Sequence, residues 1–190
     1  MDASSAVPVP ITRTKVVPVF DNRFGTLFND ETLGPRGDPG HYLRWEWKGR
    51  GVVVVPEYEG CVGLWAMFRY PIGTTSMEFP RGGGEPDESL EIAALRELKE
   101  ETGLSGHSPR TFGYLYAETG LIASRVAVIG VQVDDPVGSG AQAEPMESVG
   151  ETVEWLKPKD FSELMAAGSV TCAITMAAWA MWRAATEAKG

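Results

Sequence analysis

Residues 82–104 read GGGEPDESLEIAALRELKEETGL, and this stretch determines most of what the sequence implies about fold and function. A glycine-rich segment leads into a run of good helix formers, with Ser89 at the position of an N-cap and Gly103 at the position of a C-terminal stop. The pattern therefore predicts a loop, a helix over Leu90–Thr102 and a second loop.

Three glutamates of this helix share one face. At roughly 100° per residue, Glu97, Glu100 and Glu101 fall in one sector of the helical wheel. Like charges three and four residues apart repel, and a hard divalent cation with oxygen ligands, Mg²⁺ or Mn²⁺, would remove that repulsion. An ordinary charged surface helix has a similar composition, but the fixed spacing of glycine, glutamate and arginine favours a metal site that binds phosphate.

The spacing resembles the signature of the Nudix hydrolases. Gly82 is followed after five residues by Glu88, and after seven more by the run Arg96-Glu97-Leu98-Lys99-Glu100-Glu101-Thr102-Gly103-Leu104, so every specified position matches. The resemblance implies an enzyme that hydrolyses a nucleoside diphosphate linked to a further group, with Mg²⁺ or Mn²⁺ as cofactor.

The resemblance also assigns roles around the metal. Glu97 and Glu101 would be the principal metal ligands, and the backbone carbonyl of Arg81 would be another. Glu100 would be a further ligand or a catalytic partner of the metal-bound water.

Four more positions would support these ligands. Arg96 would hold the carboxylates in place, and Glu88 would brace the loop onto the helix. Gly82 would let backbone carbonyls approach the metal, and Gly103 would end the helix.

The preceding segment, residues 69–82, reads RYPIGTTSMEFPRG and resembles the same region of ADP-ribose pyrophosphatases and related nucleotide-sugar hydrolases. Arg69 is suited to binding phosphate, because a guanidinium offers paired donors to phosphate oxygens; the alternative is an exposed strand residue. Glu78 would bind an adenine edge or a ribose hydroxyl, or would support Arg81. Arg81 stands where many relatives have alanine or glycine, and it could reach a phosphate.

The general base is expected in an acidic loop after the later strands. Members of that subfamily use a glutamate on a mobile loop there, and this chain offers Glu144, Glu147 and Glu151. The register of the following strand favours Glu151 over Glu147. A solvated connection without catalytic function is the alternative.

The alternation of strand-like and helical segments predicts an α/β protein in two parts. Residues 1–48 are expected to form a small antiparallel β unit with a turn-rich loop at 29–40. Residues 49–190 are expected to form the Nudix domain, a mixed β-sheet between helices with a central hairpin at 51–70 and a final helix at 170–188. The β unit resembles the N-terminal domain through which the subfamily forms homodimers with exchanged strands.

The composition of the chain narrows the classes of function and of cellular location that are expected. The net charge is −9 and no lysine or arginine cluster occurs, so a nucleic-acid-binding surface is not expected. The two cysteines, Cys61 and Cys172, are interpreted as core thiols. No apolar run of membrane-spanning length and no signal-peptide pattern occurs, which predicts a cytoplasmic protein without membrane partners.

The leading hypothesis is a hydrolase that cleaves the pyrophosphate of ADP-ribose, or of a related nucleoside diphosphate sugar, to a nucleoside monophosphate and a sugar phosphate. One alternative keeps the chemistry but acts on dinucleoside polyphosphates or damaged nucleotides. Another is a non-catalytic sensor that binds ADP-ribose or a nucleotide sugar. Residues 116–120, YAETG, have threonine where ADP-ribose hydrolases usually have proline, which weakens the substrate assignment.

Overall fold

The structure of the protein, a computed structural model, describes residues 8–85, 87–138 and 148–188, with the backbone alone for 148–151. These residues form two compact units. The first contains the described residues up to Lys48 together with Glu118–Ser124, and the second contains the remainder. The sequence pattern predicts a boundary between residues 48 and 49, and residues 118–124 lie beyond that boundary but group with the first unit.

The first unit is an antiparallel sheet of four strands in which β3 pairs with each of the others. Strand β4 follows β3 along its whole length, whereas β1 and β2 pair with opposite ends of β3. The strands are β1 Thr12–Lys15, β2 Pro18–Asp21, β3 Gly25–Leu33 and β4 Pro39–Trp47.

The predicted loop at residues 29–40 is wrong at both ends, because residues 29–33 continue β3 and residues 39 and 40 begin β4. The polar sequence there is explained by Asp30, which is only 2% exposed and lies inside the sheet. Its carboxylate accepts hydrogen bonds from Arg44 Nε at 2.5 Å and from the backbone N–H of Val17 at 3.0 Å. Arg13 lies 3.6 Å away. Hydrogen bonds and ion pairs to a buried carboxylate thus replace the solvent exposure that a loop would have given.

The second unit is built on a mixed sheet of seven strands. The order is β11-β6-β5-β10-β9, with β7 paired to β6 and β8 paired to β5. Strands β5 and β10 are parallel, and the other pairs are antiparallel. The strands are β5 Arg50–Tyr58, β6 Cys61–Arg69, β7 Thr74–Glu78, β8 Arg81–Gly84, β9 Gly106–Tyr116, β10 Arg125–Val133 and β11 Ser148–Leu156.

The predicted central hairpin is present, but its strands pair only next to the turn, where Glu57 faces Val62 and Tyr58 faces Cys61. Beyond these two pairs β5 and β6 separate. Strand β8 then pairs with β5, and β7 pairs with β6. The separation makes room for the short connection from β7 to β8, which positions Glu78 and Arg81.

Helices cover both faces of this sheet, as the predicted fold requires. Successive residues of β5 point to opposite faces. Val52 and Val54 join the core cluster that contains Leu98 of the first helix, whereas Val53 and Val55 join the cluster that contains buried residues of the later helices. The helices are α1 Leu90–Thr102, α2 Pro158–Ala166 and α3 Ala173–Glu187.

Helix α1 has the predicted bounds. Ser89 Oγ accepts the backbone N–H of Ile92 at 3.2 Å, and Gly103 adopts the left-handed conformation with φ 71°. Glycine tolerates that conformation without the steric cost of a side chain. Helix α3 begins at Ala173, three residues after the predicted start at 170. Residues 171 and 172 therefore precede the helix and line a pocket described below.

Candidate active site

Arg96 on α1 is the centre of the signature. Its Nε and Nη2 each donate to one oxygen of Glu88 at 3.0 Å, and its Nη1 donates to Glu97 at 3.0 Å and to Glu100 at 2.8 Å. Nη2 also donates to the backbone carbonyl of Gly83 at 2.7 Å. The hydrogen bonds with Glu88 are the largest cause that raises the pKa of Arg96, and they also lower the pKa of Glu88. One guanidinium thus gathers three carboxylates and a carbonyl of β8.

Glu88 closes the loop that precedes α1. Besides Arg96, its carboxylate accepts the backbone N–H of Glu85 at 3.1 Å. Its own carbonyl accepts a hydrogen bond from Arg50 Nη2 on β5. The carboxylate that the resemblance assigns to bracing the loop therefore contacts both the loop and the helix.

Gly82 on β8 lies directly against the Glu97 carboxyl group. A Cβ added at Gly82 would lie closer than 3.0 Å to all three atoms of that group, whereas a Cβ at Gly83 would meet nothing within 4 Å. Only a residue without a side chain leaves Glu97 in this position. The need for glycine here comes from close approach, not from an unusual backbone conformation.

Glu101 connects α1 to β8 from the buried side. It is 3% exposed, and its Oε2 accepts the backbone N–H of Arg81 at 3.0 Å. The backbone of β8 therefore lies beside two helix carboxylates, with Arg81 against Glu101 and Gly82 against Glu97.

The chemistry of this donor set fits a hard divalent cation, because Glu97, Glu100 and Glu101 offer carboxylate oxygens beside the backbone of β8. In the conformation described, Arg96 is bonded to Glu97 and Glu100. Within residues 8–85, 87–138 and 148–188, no group of three His, Cys, Asp or Glu side chains is already arranged to hold a metal ion. The fit to a divalent cation therefore rests on the carboxylate oxygens and on Gly82, which has no side chain and so leaves room for Glu97.

Beside this region lies a pocket of about 280 Å³ within the second unit. It is framed by the end of β6, the turn at Tyr70–Ile72, the end of β7, the start of β8 and the residues before α3. The lining residues are Arg69, Pro71, Ile72, Ser76, Glu78, Arg81, Thr171 and Cys172. All three residues predicted to bind substrate are therefore in one pocket.

Glu78 is 2% exposed and lies between two guanidinium groups. Its Oε1 accepts Arg69 Nε at 3.1 Å, and its Oε2 accepts Arg69 Nη2 at 2.7 Å and lies 3.2 Å from Arg81 Nη2. Burial raises the pKa of Glu78, but the hydrogen bonds from Arg69 and the charge of Arg81 outweigh it, so that the pKa lies below its ordinary value. The carboxylate is thus held ionised.

No sequence pattern indicates that residues 171 and 172 belong to this pocket. Cys172 Sγ lies 3.6 Å from Arg81 Nη1, and Thr171 Oγ1 lies 3.4 Å from Ser76 Oγ, across about 90 residues of chain. The interpretation of both cysteines as core thiols is wrong, because Cys61 and Cys172 are each partly exposed. No local motif could have revealed a contact that only the packing of α3 creates.

Of the three candidates for the general base, Glu144 and Glu147 lie outside the described residues. Glu151 lies in β11, which begins at Ser148, so it belongs to a strand and not to the acidic loop in which it was expected. The register of β11 against β6 shifts between Val149 and Val153, which places residue 151 in a bulge. Bulges are frequent beside active sites.

Comparison with known proteins identifies the family. The model of the NUDIX domain matches residues 47–172, more than half of the chain. The chain belongs to this family. Nudix hydrolases generally use divalent metal ions, in agreement with the donor atoms on α1 and β8.

The fold of this Nudix chain is also found in a solved structure. The crystal structure of an ADP compounds hydrolase superposes with a TM-score of 0.78 at 21% identity, over 95% of this chain and 96% of that chain. The α/β architecture with an antiparallel N-terminal sheet is therefore confirmed as a Nudix fold.

Several relatives share part of the Nudix chain. The ADP-sugar pyrophosphatase of Mus musculus is 36% identical over 94 residues, which are 50% of this chain and 43% of the relative. The ADP-ribose pyrophosphatase of Saccharomyces cerevisiae is 31% identical over 90 residues, 45% of this chain and 39% of the relative. The alignments span less than half the length of these two relatives.

The helices of the described residues lack the length and apolar character that a membrane-spanning helix requires.

Proposed function

We propose that the protein is a metal-dependent pyrophosphohydrolase that cleaves ADP-ribose, or a related nucleoside diphosphate sugar, to a nucleoside monophosphate and a sugar phosphate. The observation that carries this proposal is the position of Arg81. Its backbone N–H binds the Glu101 carboxylate of the signature helix, while its guanidinium lines the pocket with Arg69. A carboxylate-rich region and an arginine-lined pocket thus meet at one residue. The similarity to ADP-sugar and ADP-ribose pyrophosphatases supports the substrate class.

For the cofactor we propose Mg²⁺ or Mn²⁺, held by Glu97, Glu101 and Glu100 together with the backbone carbonyl of Arg81. The bound ion would neutralise phosphate charge and activate water for attack on phosphorus. Arg96 and Glu88 position the carboxylates through the hydrogen bonds described above.

The chain's own groups would carry out the remaining steps. Arg69 and Arg81 would bind the phosphates, since guanidinium groups offer paired, charged donors to phosphate oxygens. Glu151 would accept the proton of the attacking water, with Glu147 and Glu144 as the alternatives. The register shift between Val149 and Val153 supports the first choice, because such interruptions of a strand are frequent beside active sites.

Product analysis tests the substrate. The protein is incubated with Mg²⁺ and ADP-ribose, ADP-glucose, a diadenosine polyphosphate or a nucleoside triphosphate, each with and without a chelator. The proposal requires chelator-sensitive release of AMP from ADP-ribose well above the other reactions. Preference for another compound would keep the hydrolase and replace the substrate, whereas binding without any turnover would indicate a sensor.

The identity of the base is tested by single amide substitutions. Glu151→Gln is expected to lower kcat by about 10²- to 10⁴-fold, the usual contribution of a positioned proton acceptor. Glu147→Gln and Glu144→Gln serve as matched controls and should keep most of the activity. If Glu147→Gln loses activity and Glu151→Gln does not, the assignment moves to Glu147.

We also propose that the first unit mediates a homodimer. Strands β1 and β2 are exposed at every position. Several large apolar side chains of this unit are likewise exposed, and burying such groups against a second copy would be favourable. They are Val16, Val19, Phe20, Phe24, Tyr42, Leu43 and Trp47. Light scattering should give the mass of a dimer, and a monomer would contradict the proposal.

A further inference from the structure

We propose that Glu78 is a positioning residue that joins Arg69 and Arg81 into one clamp for both phosphates of a diphosphate, and that it contacts neither base nor ribose. This inference rests on the proposed function and adds to it. The sequence left open whether Glu78 binds an adenine edge, binds a ribose hydroxyl or supports Arg81.

Both carboxylate oxygens of Glu78 already accept charged donors. Arg69 donates to both of them in the bidentate arrangement, at 3.1 and 2.7 Å, and Arg81 Nη2 lies 3.2 Å from Oε2. The carboxylate is almost fully buried behind the two guanidinium groups. A ribose hydroxyl or an adenine amine would have to displace one of these charged donors, which bind a carboxylate more strongly than neutral groups do.

Most N–H donors of the two arginines are not used by Glu78. Each guanidinium has five N–H groups, so two arginines offer far more donors than one carboxylate can accept. The side chains of Arg69 and Arg81 are 26% and 27% exposed, in contrast to 2% for Glu78. Both arginines line the pocket. The trio therefore presents a net positive charge and partly exposed donors, as a phosphate-binding surface requires.

The two arginines come from different strands. Arg69 ends β6 and Arg81 begins β8, and these strands are not paired with one another. Two guanidinium groups brought together would repel, and the carboxylate between them offsets that repulsion. Cys172 Sγ contacts the other edge of the Arg81 guanidinium at 3.6 Å. The distance between the two cations is thus set by Glu78, with the chain before α3 as a second support.

A base exchange separates a clamp from an adenine contact. Both compounds carry the same riboses, so a contact with the adenosine ribose is separated from a clamp by the comparison of ADP with AMP given next. KM and kcat of Glu78→Gln are measured with ADP-ribose and with its guanine counterpart, GDP-ribose. Loss of the clamp should raise KM about 10- to 100-fold by the same factor for both compounds, since they share the diphosphate, with a smaller change in kcat. A rise confined to ADP-ribose would overturn the inference in favour of an adenine contact.

Direct binding provides a readout that does not depend on turnover. Calorimetric Kd values for ADP and AMP are compared in buffer with a chelator, so that metal does not contribute. Wild type should prefer ADP, and Glu78→Gln or Arg81→Ala should each remove most of that preference. If no compound is hydrolysed but these Kd shifts occur, the proposed function fails and the clamp stands. An unchanged ADP preference in Glu78→Gln would overturn the clamp even if hydrolysis is normal.

Two further variants complete the design. Glu57→Gln is the matched control, because Glu57 also faces an arginine, Arg110 at 3.9 Å, but neither lines the pocket. It should leave both KM and Kd unchanged. The double variant Glu78→Gln/Arg81→Ala should be little worse than either single variant, because residues that act as a unit are not additive. Independent, additive effects would contradict a positioning role.

Discussion

The signature cluster and the pocket cluster are built from the same two side-chain types in opposite proportion. Around Arg96, one guanidinium gathers three carboxylates, Glu88, Glu97 and Glu100. Around Glu78, one carboxylate gathers two guanidinium groups, Arg69 and Arg81. The first cluster has excess negative charge and the second has excess positive charge. Both regions contain ion pairs, but the ratio of carboxylates to guanidinium groups differs. This ratio indicates that the first region suits a cation and the second suits an anion.

The largest expected effect comes from removing charge in the negative region. Glu101→Gln keeps the shape of the side chain but removes a proposed metal ligand, so we expect turnover of ADP-ribose to fall about 10³-fold or more, because a bound metal supplies several kcal/mol. Rate measurements over a Mg²⁺ titration test this.

Glu91→Gln is the matched control, because Glu91 lies on the same helix but hydrogen bonds Thr111 on β9. It should remain active. Full activity of Glu101→Gln, in a variant whose circular dichroism is unchanged, would show that the metal assignment is wrong.

The next largest effect tests whether the negative region depends on the close approach of Gly82 to the Glu97 carboxyl group. Gly82→Ala would place a methyl group against the Glu97 carboxyl group and force it to move. A displacement of about 1 Å commonly costs about 10²-fold in rate. Gly83→Ala adds the same atom one residue later, where nothing lies within 4 Å, and should stay within about twofold of wild type. Equal losses in both variants would contradict the close-approach argument.

The two regions differ in how far the sequence could predict them. The signature lies within one loop and one helix, where spacing fixes which residues meet, so the bounds of α1, its caps and the shared glutamate face were all predictable. The pocket joins β6, β7, β8 and the chain before α3. Only Arg69, Glu78 and Arg81 lay close enough to a recognisable segment to be named. Residues 171 and 172 reach the pocket through the packing of α3, which no local pattern encodes.

A smaller loss is expected when the centre of the negative cluster is removed. Arg96→Met leaves Glu88, Glu97 and Glu100 without their shared donor. Loss of an outer partner of metal ligands typically weakens metal binding about 10- to 100-fold. The Mg²⁺ concentration for half-maximal rate should therefore rise by that factor, while kcat at saturating Mg²⁺ changes less. A fall in kcat at every Mg²⁺ concentration would instead place Arg96 on the substrate.

The smallest expected effect on activity concerns a third cluster. Like the pocket cluster, it has two guanidinium groups around one carboxylate. In the first unit Asp30 faces two arginines, Arg44 and Arg13, as Glu78 faces Arg69 and Arg81. If two guanidinium groups around one carboxylate were enough to make a ligand site, Asp30→Asn would raise KM. We expect KM to stay within about twofold and the free energy of unfolding to fall by about 2 kcal/mol, the usual value for a hydrogen bond to a charged group. Urea unfolding followed by circular dichroism measures the second quantity.

The pH dependence of the stability difference between wild type and Asp30→Asn identifies its cause. Burial raises the pKa of Asp30, but the hydrogen bonds from Arg44 and from the backbone of Val17 outweigh it and lower the pKa below its ordinary value. A carboxylate with a lowered pKa stabilises the folded state above its unfolded pKa, about 3.9 for Asp, and loses that contribution as pH falls through the folded pKa. The stability gap between wild type and Asp30→Asn should therefore be full at pH 7 and shrink below about pH 4. A gap that persists at pH 2 would mean that the asparagine disturbs packing, and an altered KM would show that the charge proportion acts beyond stability.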